Sequence, residues 1–431
     1  MREFAENKNI EILPTLDEIL KGEVVARWYV PVSKQDDDAS QNSAGQYTFS
    51  LSQNNFGEYA FTPPSLDSSS AENQISRTSN DSSSSKTVEC QLCPKHCRIK
   101  DGNVGFCSSR INRSGRLLAR FYGRPTSIAV DPIEKKPLFH FLPGTRILSL
   151  GTQGCNLSCK FCQNWQISRP FSAEATIERI LEPQQVVTLA LKNNCPSVAF
   201  TYNEPSIWAE YVIDTARLCR KNGIRTVIVT NGMISGQARK ETYREIDAAN
   251  VDLKSFTSHF YKTLVGGSLD DVKETLEYIV KETDVWLEIT NLLIPSKNDS
   301  SEEIEKLCQW IVETLGREIP LHFSAFFPTW RLTDLQPTPA HTLQRAAKIA
   351  RTTGLSYVYC GNVTNSEFQK TFCPQCSAVL IEREKYSVRI SSMLEPNPHL
   401  RLQEAEDKTS VSSSAKYCQN CGLKIAGVYS S

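Results

Sequence analysis

The sequence predicts an α/β protein built on a full or partial (β/α) barrel, with small Cys-rich metal-binding modules on both sides. Three observations predict it. From about residue 146 to residue 362, short apolar or β-branched runs alternate with helical patterns, the order that folds into a parallel sheet covered by helices. Several of those runs are apolar on both faces, as covered parallel strands are. Finally, the 15 cysteines are unevenly spread, with one spaced group before the alternating region, one at its start and one after it.

Length and charge bound the rest. At about 150 residues per domain, 431 residues suggest roughly three folded units. Lys+Arg and Asp+Glu both total 48, for a net charge of +0, which argues against a nucleic-acid or anionic-membrane partner. No apolar run approaches the roughly 18–20 residues of a membrane span. The opening Met-Arg-Glu-Phe-Ala-Glu-Asn lacks a secretory apolar stretch and is acidic for a transit peptide, so the expectation is a cytoplasmic chain in a reducing compartment. There, an odd cysteine total with short C-x-x-C spacings favours metal thiolates over disulfides. Cys195, Cys219, Cys308 and Cys360 stand alone in apolar surroundings and read as core residues.

In chain order, residues 1–33 hold one short helix. Thr15 and Glu18 make a capping box for it, and Leu16, Ile19 and Leu20 form its apolar face. Residues 34–87 are rich in Ser and Asn, with too little apolar surface to offset chain entropy, and are expected to be a disordered linker. A Cys-rich module follows over 88–145, then the barrel core over 146–365. Its strands are read at Ile147–Leu150, Val198–Thr201, Thr226–Thr230, Val251–Leu253, Val285–Ile289, Leu321–Phe327 and Tyr357–Tyr359. Between them, one helix runs from Ser206 to about Gly223, Ser300 with Glu303 opens another as a capping box, and a third over Leu343–Ala350 stops before Gly354. The alternative is a doubly wound open sheet, but no glycine-rich dinucleotide fingerprint follows the first strand. Residues 366–431 form the last Cys-rich module, interrupted by a Ser-rich insert near 395–416.

The first barrel strand runs into Gly-Thr-Gln-Gly-Cys155-Asn-Leu-Ser-Cys159-Lys-Phe-Cys162. Three cysteines in one loop hold three irons of a [4Fe–4S] cluster and leave the fourth iron open, unlike a ferredoxin's closed set. The loop lies at the carboxyl end of a barrel strand, where barrel enzymes assemble their sites. A three-thiolate zinc site with a distant fourth ligand, or incidental buried thiols, are the alternatives. Asp252 and Lys254 lie at i and i+2 of one strand and so leave the same face. Burying them demands mutual pairing or a ligand.

The spacing Cys155-x3-Cys159-x2-Cys162, with Phe161 before the third cysteine, resembles the signature of radical S-adenosylmethionine (SAM) enzymes. The longer stretch resembles the AmmeMemoRadiSam-system radical SAM enzymes, which are similar to pyruvate formate-lyase-activating enzymes. That stretch comprises Cys90-Gln-Leu-Cys93-Pro-Lys-His-Cys97, Gly102-Asn-Val-Gly105-Phe-Cys107, Asp131-Pro-Ile-Glu-Lys-Lys-Pro137-Leu-Phe-His140 and the cysteine loop with Gln163-Asn164-Trp165. The resemblance spans residues 88–391 and the last cysteine pair. It implies a [4Fe–4S] cluster, SAM on the open iron, and reductive cleavage to methionine and a 5′-deoxyadenosyl radical that abstracts hydrogen. A reductant such as flavodoxin or ferredoxin, and a Memo-like or AMMECR-type protein partner, follow from the same resemblance. On it, Lys254 meets the SAM carboxylate and Asp252 accepts from a cofactor donor. Thr201-Tyr-Asn203-Glu204-Pro205 stands where related enzymes carry a G-G-E-P-like segment that receives the SAM amino group, here with Tyr202 and Asn203 in place of both glycines. Thr230 and Asn231 are candidates to face the ribose or methionine, or form an ordinary turn. His322, on one strand face with Ser324 and Phe326, is a candidate contact for the adenosyl group or substrate, or a hydrogen-bonded core residue. Phe161 and Trp165 are expected to shield the cluster, stack near adenine or fill core.

The flanking groups are metal sites. Cys90, Cys93, Cys97 and Cys107 suit zinc or an auxiliary iron–sulfur cluster, and spacing alone does not choose. Cys373, Cys376, Cys418 and Cys421 resemble the knuckles of a zinc ribbon, their wide separation being taken up by the insert. Two readings follow: an activating-enzyme-like oxidoreductase of the radical SAM type with unknown substrate, or a non-catalytic iron–sulfur and zinc protein for partner binding or electron transfer.

Overall fold

Each strand run between the cysteine groups becomes a strand, and one more precedes them. In the computed structural model, which describes residues 13–32, 52–53, 59–60, 86–169, 179–363, 366–384, 387–394 and 416–430, eight strands form one sheet. They are β1 (Ser127–Pro132), β2 (Arg146–Gly151), β3 (Ser197–Phe200), β4 (Arg225–Thr230), β5 (Ala248–Asp252), β6 (Trp286–Leu293), β7 (Leu321–Ala325) and β8 (Val358–Gly361). Their spatial order is their chain order. From β2 to β8 the pairs are parallel, whereas β1 pairs antiparallel with β2. Strands that advance in one direction without a reversal curl into a barrel, while a doubly wound sheet needs a switch point. Among the described residues no ladder joins β8 to β1, so the barrel is partial. Most of residues 34–87 and of the Ser-rich insert lie outside the described residues.

The crossover helices are α1 (Pro183–Lys192), α2 (Ala209–Lys221), α3 (Gly236–Tyr243), α4 (Leu269–Glu282), α5 (Ser301–Trp310) and α6 (Ala340–Thr353). Their ends follow the sequence signals. Gly354, at φ +114°, ends α6 by donating to Ala350 and Arg351, and Ser300 caps α5 by accepting from Glu303 N–H. The reciprocal half of that capping box does not form. The Glu303 carboxylate instead accepts from Ser255 Oγ (2.5 Å) and Phe256 N–H (2.8 Å), fastening the loop after β5. At the N-terminus the Leu16–Lys21 helix has its capping box complete. Of its expected apolar face only Ile19 is buried, while Leu16 and Leu20 are exposed.

Strand alternation fixes where the core sits. Ile147, Ala199, Val227 and Ala248 face the barrel interior, where Ile133, Leu138, Phe141 and Leu142 of the β1–β2 connection fill the floor. Leu148, Leu150, Val198, Phe200 and Ile228 belong to the larger core. The two Cys modules lie at opposite ends of the strands. The last one packs under the floor through Phe139, Tyr357, Tyr359, Leu380 and Ile381. Arg383 reaches up from it to donate to the Phe139 carbonyl at 2.6 Å. The first module borders the carboxyl ends, where Ser235 N–H donates to Leu92 O (3.1 Å) and Ser109 Oγ to Ile207 O (2.9 Å).

Candidate active site

The cysteine loop leaves the carboxyl end of β2 and is held on both sides. Asn203, just past β3, accepts from Thr152 N–H (3.1 Å) and donates to Gly154 O (2.7 Å). On the other side Ser158 N–H donates to Val265 O (2.8 Å) and Lys160 N–H to Leu264 O (2.9 Å). The chain approaches so closely there that a Cβ on Gly266, at φ +73°, would sit 2.1 Å from Ser158 Oγ. Asn203 is therefore a loop-positioning residue by its contacts, and the three cysteines are presented from fixed backbone.

Each thiol meets a different environment. Cys155 Sγ is approached by Leu157 N–H (3.4 Å) and Asn231 Nδ2 (3.8 Å), and burial pushes its pKa up. Burial also raises Cys159, to about 11, although Lys254 acts against the rise. Cys162 Sγ lies 3.7 Å from Ser168 Oγ.

Lys254 and Asp252 do share one face and pair with each other, Nζ to Oδ2, at 2.8 Å. The Asp252 side chain is 35% exposed and that of Lys254 16%, so the pair stands at the mouth beside Cys159. Burial opposes the Lys254 charge, but Asp252 and Cys159 together outweigh it and raise the ammonium pKa.

Glu204, Thr230 and Asn231 converge on one hydrogen-bonded cluster. Glu204 is 1% exposed. Its carboxylate accepts from Thr230 Oγ1 (2.7 Å), Asn231 N–H (2.8 Å) and Ser206 N–H (2.9 Å). With its acceptor sites taken up by the chain, it acts as a tie between the ends of β3 and β4. Asn231 in turn donates to Asn156 Oδ1 (2.9 Å).

His322 is placed away from this group. It pairs with Glu288 at 2.6 Å, stacks on Tyr359 (5.1 Å between centroids) and meets Phe139 edge-on. Glu288 also accepts from the Phe139 and His140 backbone N–H groups. Burial opposes the charge on Glu288, but His322 outweighs it and holds the pKa below the usual range. A histidine buried on this strand is thus held by a carboxylate of the barrel floor. Phe161 packs on Phe260, and Trp165 stacks on Trp330 at 4.5 Å, so both have aromatic partners within the fold.

Two functional contributors carry no role in the sequence reading. Asn156 is 1% exposed inside the loop and ties it to β4 by donating to Met233 O (2.6 Å); a carboxamide between two cysteines is the only local signal. Tyr202 donates to Asp131 Oδ2 at 2.8 Å, a link between β1 and β3 that sequence separation hides.

The last four cysteines gather most tightly. Cys373 Sγ lies 3.6 Å from Cys421 Sγ, and Cys376 Sγ 3.6 Å from Cys418 Sγ. Among the described residues they are the group of three or more His, Cys, Asp or Glu ligand atoms lying within 4.8 Å of one another. The loop trio is spread more widely, and the chemistry of the set suits irons held one per thiolate rather than a single ion. When bound there, a [4Fe–4S] cluster with SAM on its open iron supplies one-electron cleavage of a carbon–sulfur bond. Cys155, Cys159 and Cys162 would hold it, beside the Lys254–Asp252 pair.

Comparison with known proteins agrees with this geometry. Residues 149–311, from β2 into α5, match the Radical SAM superfamily. The chain is 43% identical over 338 residues to an uncharacterized protein of Methanocaldococcus jannaschii, covering 78% of this chain and 95% of that protein. It is 30% identical over 175 residues to the pyruvate formate-lyase-activating enzyme of Clostridium pasteurianum, covering 39% of this chain and 70% of that enzyme. The pyruvate formate-lyase 1-activating enzyme of Escherichia coli K12 is 26% identical over 225 residues, or 48% of this chain and 89% of that enzyme. The chain belongs to the radical SAM superfamily. Within it, the protein is homologous to the pyruvate formate-lyase-activating enzymes. Among the described residues, no helix is long and apolar enough to cross a membrane.

Proposed function

We propose that this protein reductively cleaves SAM and uses the resulting 5′-deoxyadenosyl radical to take a hydrogen atom from a residue of a partner protein, as an activating-enzyme-like oxidoreductase. The observation that carries the reading is the fixed three-thiol loop with Lys254 against Cys159, in a chain homologous to activating enzymes. Lys254 offers its ammonium to the SAM carboxylate, and Asp252 orients it. Glu204 and Asn231 hold the ends of β3 and β4 in register with Cys155. A low-potential protein such as flavodoxin or ferredoxin is the proposed electron donor. A Memo-like or AMMECR-type protein is the proposed partner. The last four cysteines are proposed to hold structural zinc. Their 3.6 Å pairs fit the sulfur separation of about 3.8 Å that Zn–S bonds of about 2.3 Å impose on a tetrahedron.

The test is anaerobic reconstitution with iron and sulfide, then dithionite and SAM, with methionine and 5′-deoxyadenosine quantified. Cys159→Ala is expected to lower both products at least 100-fold, while Cys195→Ala, a buried thiol remote from the loop, leaves them unchanged. Equal yields from the two variants would remove the ligand assignment. A cluster that forms yet never cleaves SAM would favour a non-catalytic iron–sulfur protein. A deuterated partner should then transfer label into 5′-deoxyadenosine, and label absent from every candidate protein would sink the protein-substrate reading.

A further inference from the structure

The first cysteine group lines a cavity of its own, beside the loop that carries the site. Cys90, Cys93, Cys97 and Cys107 all face it, together with Arg110 and Asn156. Two observations separate this cavity from the zinc-type site under the barrel floor. First, its four thiols share one cavity without drawing together as the last four cysteines do: among the described residues, no three of their Sγ atoms lie within 4.8 Å of one another. A single tetrahedral ion would need all four at about 3.8 Å, whereas a cube takes one thiolate at each iron corner and sets them farther apart. Second, Arg110 is 1% exposed and aimed into the cavity. Its Nη2 lies 2.8 Å from Glu210 Oε2, but Nε and Nη1 have no hydrogen-bond partner. A buried guanidinium with unused donors is costly. Beside Cys90 and Cys107, whose negative forms it favours, those donors suit a buried anionic group.

We propose that Cys90, Cys93, Cys97 and Cys107 bind a second, fully thiolate-ligated [4Fe–4S] cluster, with Arg110 compensating its negative charge. Assembly replaces four S–H bonds by four Fe–S bonds and releases four protons, with no change of oxidation state required of the chain. The cavity adjoins the first site closely. A Cβ on Gly154, the residue before Cys155, would lie 2.1 Å from the Cys107 carbonyl oxygen. Asn156 links the two thiol groups, lining the cavity with Cys93 on one side and accepting from Asn231 Nδ2, next to Cys155, on the other.

The experiment uses the full chain with Cys155, Cys159 and Cys162 all replaced by Ala, reconstituted anaerobically and analysed for iron, sulfide and zinc. The variant is expected to keep half of the wild-type iron and sulfide and a brown chromophore. Iron reduced to background, with one more zinc per chain than the last four cysteines take, would overturn the proposal. The complementary Cys93→Ala/Cys107→Ala protein should lose the other half. Should that variant fail to fold, the triple variant decides alone. The outcome also stands apart from the SAM-cleavage reading: iron equal in wild type and triple variant would refute the open cluster and leave the second one in place.

Discussion

Tyr202 occupies a backbone conformation that favours glycine, with φ at +74°, and a bulky residue there is strained by about 1–2 kcal/mol. Its side chain offsets the strain. The phenol donates to Asp131 Oδ2 at 2.8 Å, and Lys136 Nζ lies 4.6 Å from the ring centroid. Burial works against the Asp131 carboxylate, but Lys136 and the Tyr202 hydroxyl outweigh it and hold the pKa well below the usual range. Tyr202→Phe is therefore expected to lower stability by about 1–2 kcal/mol, seen as a lower urea midpoint at unchanged slope; an unmoved midpoint would mean the hydroxyl carries nothing. Glu204 gives a sharper test. Gln would present an amide N–H to one of its three present donors, Thr230 Oγ1, Asn231 N–H or Ser206 N–H. Glu204→Gln is expected to destabilise by about 2 kcal/mol and to lower iron content, with the KM for SAM unchanged per loaded cluster. A raised KM at full stability would instead make Glu204 a direct SAM ligand.

At the scale of elements, the seven parallel strands were legible because each is an apolar run bounded by turn residues, and covered parallel strands leave that mark. β1 was not. Ser127–Pro132 is half-buried along most of its length, and its antiparallel pairing with β2 depends on a partner that local periodicity does not reveal. The cysteine groups were legible from spacing alone. The hydrogen-bond partners of His322 and Glu204 were not, because a buried polar residue declares its partner only after folding. Docking of the last module under the floor was equally hidden, since it hangs on Arg383. That guanidinium donates to Phe139 O (2.6 Å), Gln369 O (2.9 Å) and Thr371 Oγ1 (2.9 Å) and lies 4.2 Å over the Phe139 ring. Its Nε also lies 3.9 Å from the buried Glu134 carboxylate, and removing one partner of such a buried ion pair costs about 3–5 kcal/mol. Arg383→Met should therefore free the segment from Thr371 onward to protease and amide exchange while the barrel stays protected. Unchanged protection of that segment would show that apolar contacts alone hold it.

The whole molecule is clamped between its two ends, and the floor clamp is pH-sensitive through His140. The ring lies between the barrel and the last module, Nε2 2.6 Å from Tyr359 Oη and Nδ1 2.7 Å from the Ala426 carbonyl. Burial lowers its pKa to about 4, Glu288 pulling the other way and Arg383 and His322 adding to the fall. Two further tyrosines face the ring, Tyr429 with its hydroxyl 3.2 Å from Nδ1 and Tyr357 with its ring centroid 4.4 Å away. The unfolded chain holds the same histidine at about 6.5, so between these values the unfolded state binds the extra proton. Stability from this group is thus complete above pH 6.5 and is lost as pH falls from there through about 4, amounting to about 3 kcal/mol in all. Thermal unfolding of the wild type and His140→Gln, both kept in excess zinc so that thiolate protonation does not strip the neighbouring cysteines, reads this directly. The wild-type midpoint should fall more steeply than the variant's across that interval, because glutamine keeps a polar group in the place of the ring but takes up no proton. Parallel slopes would mean that acid unfolds the protein elsewhere, and that the histidine joining barrel to module is only a hydrogen-bonding strut.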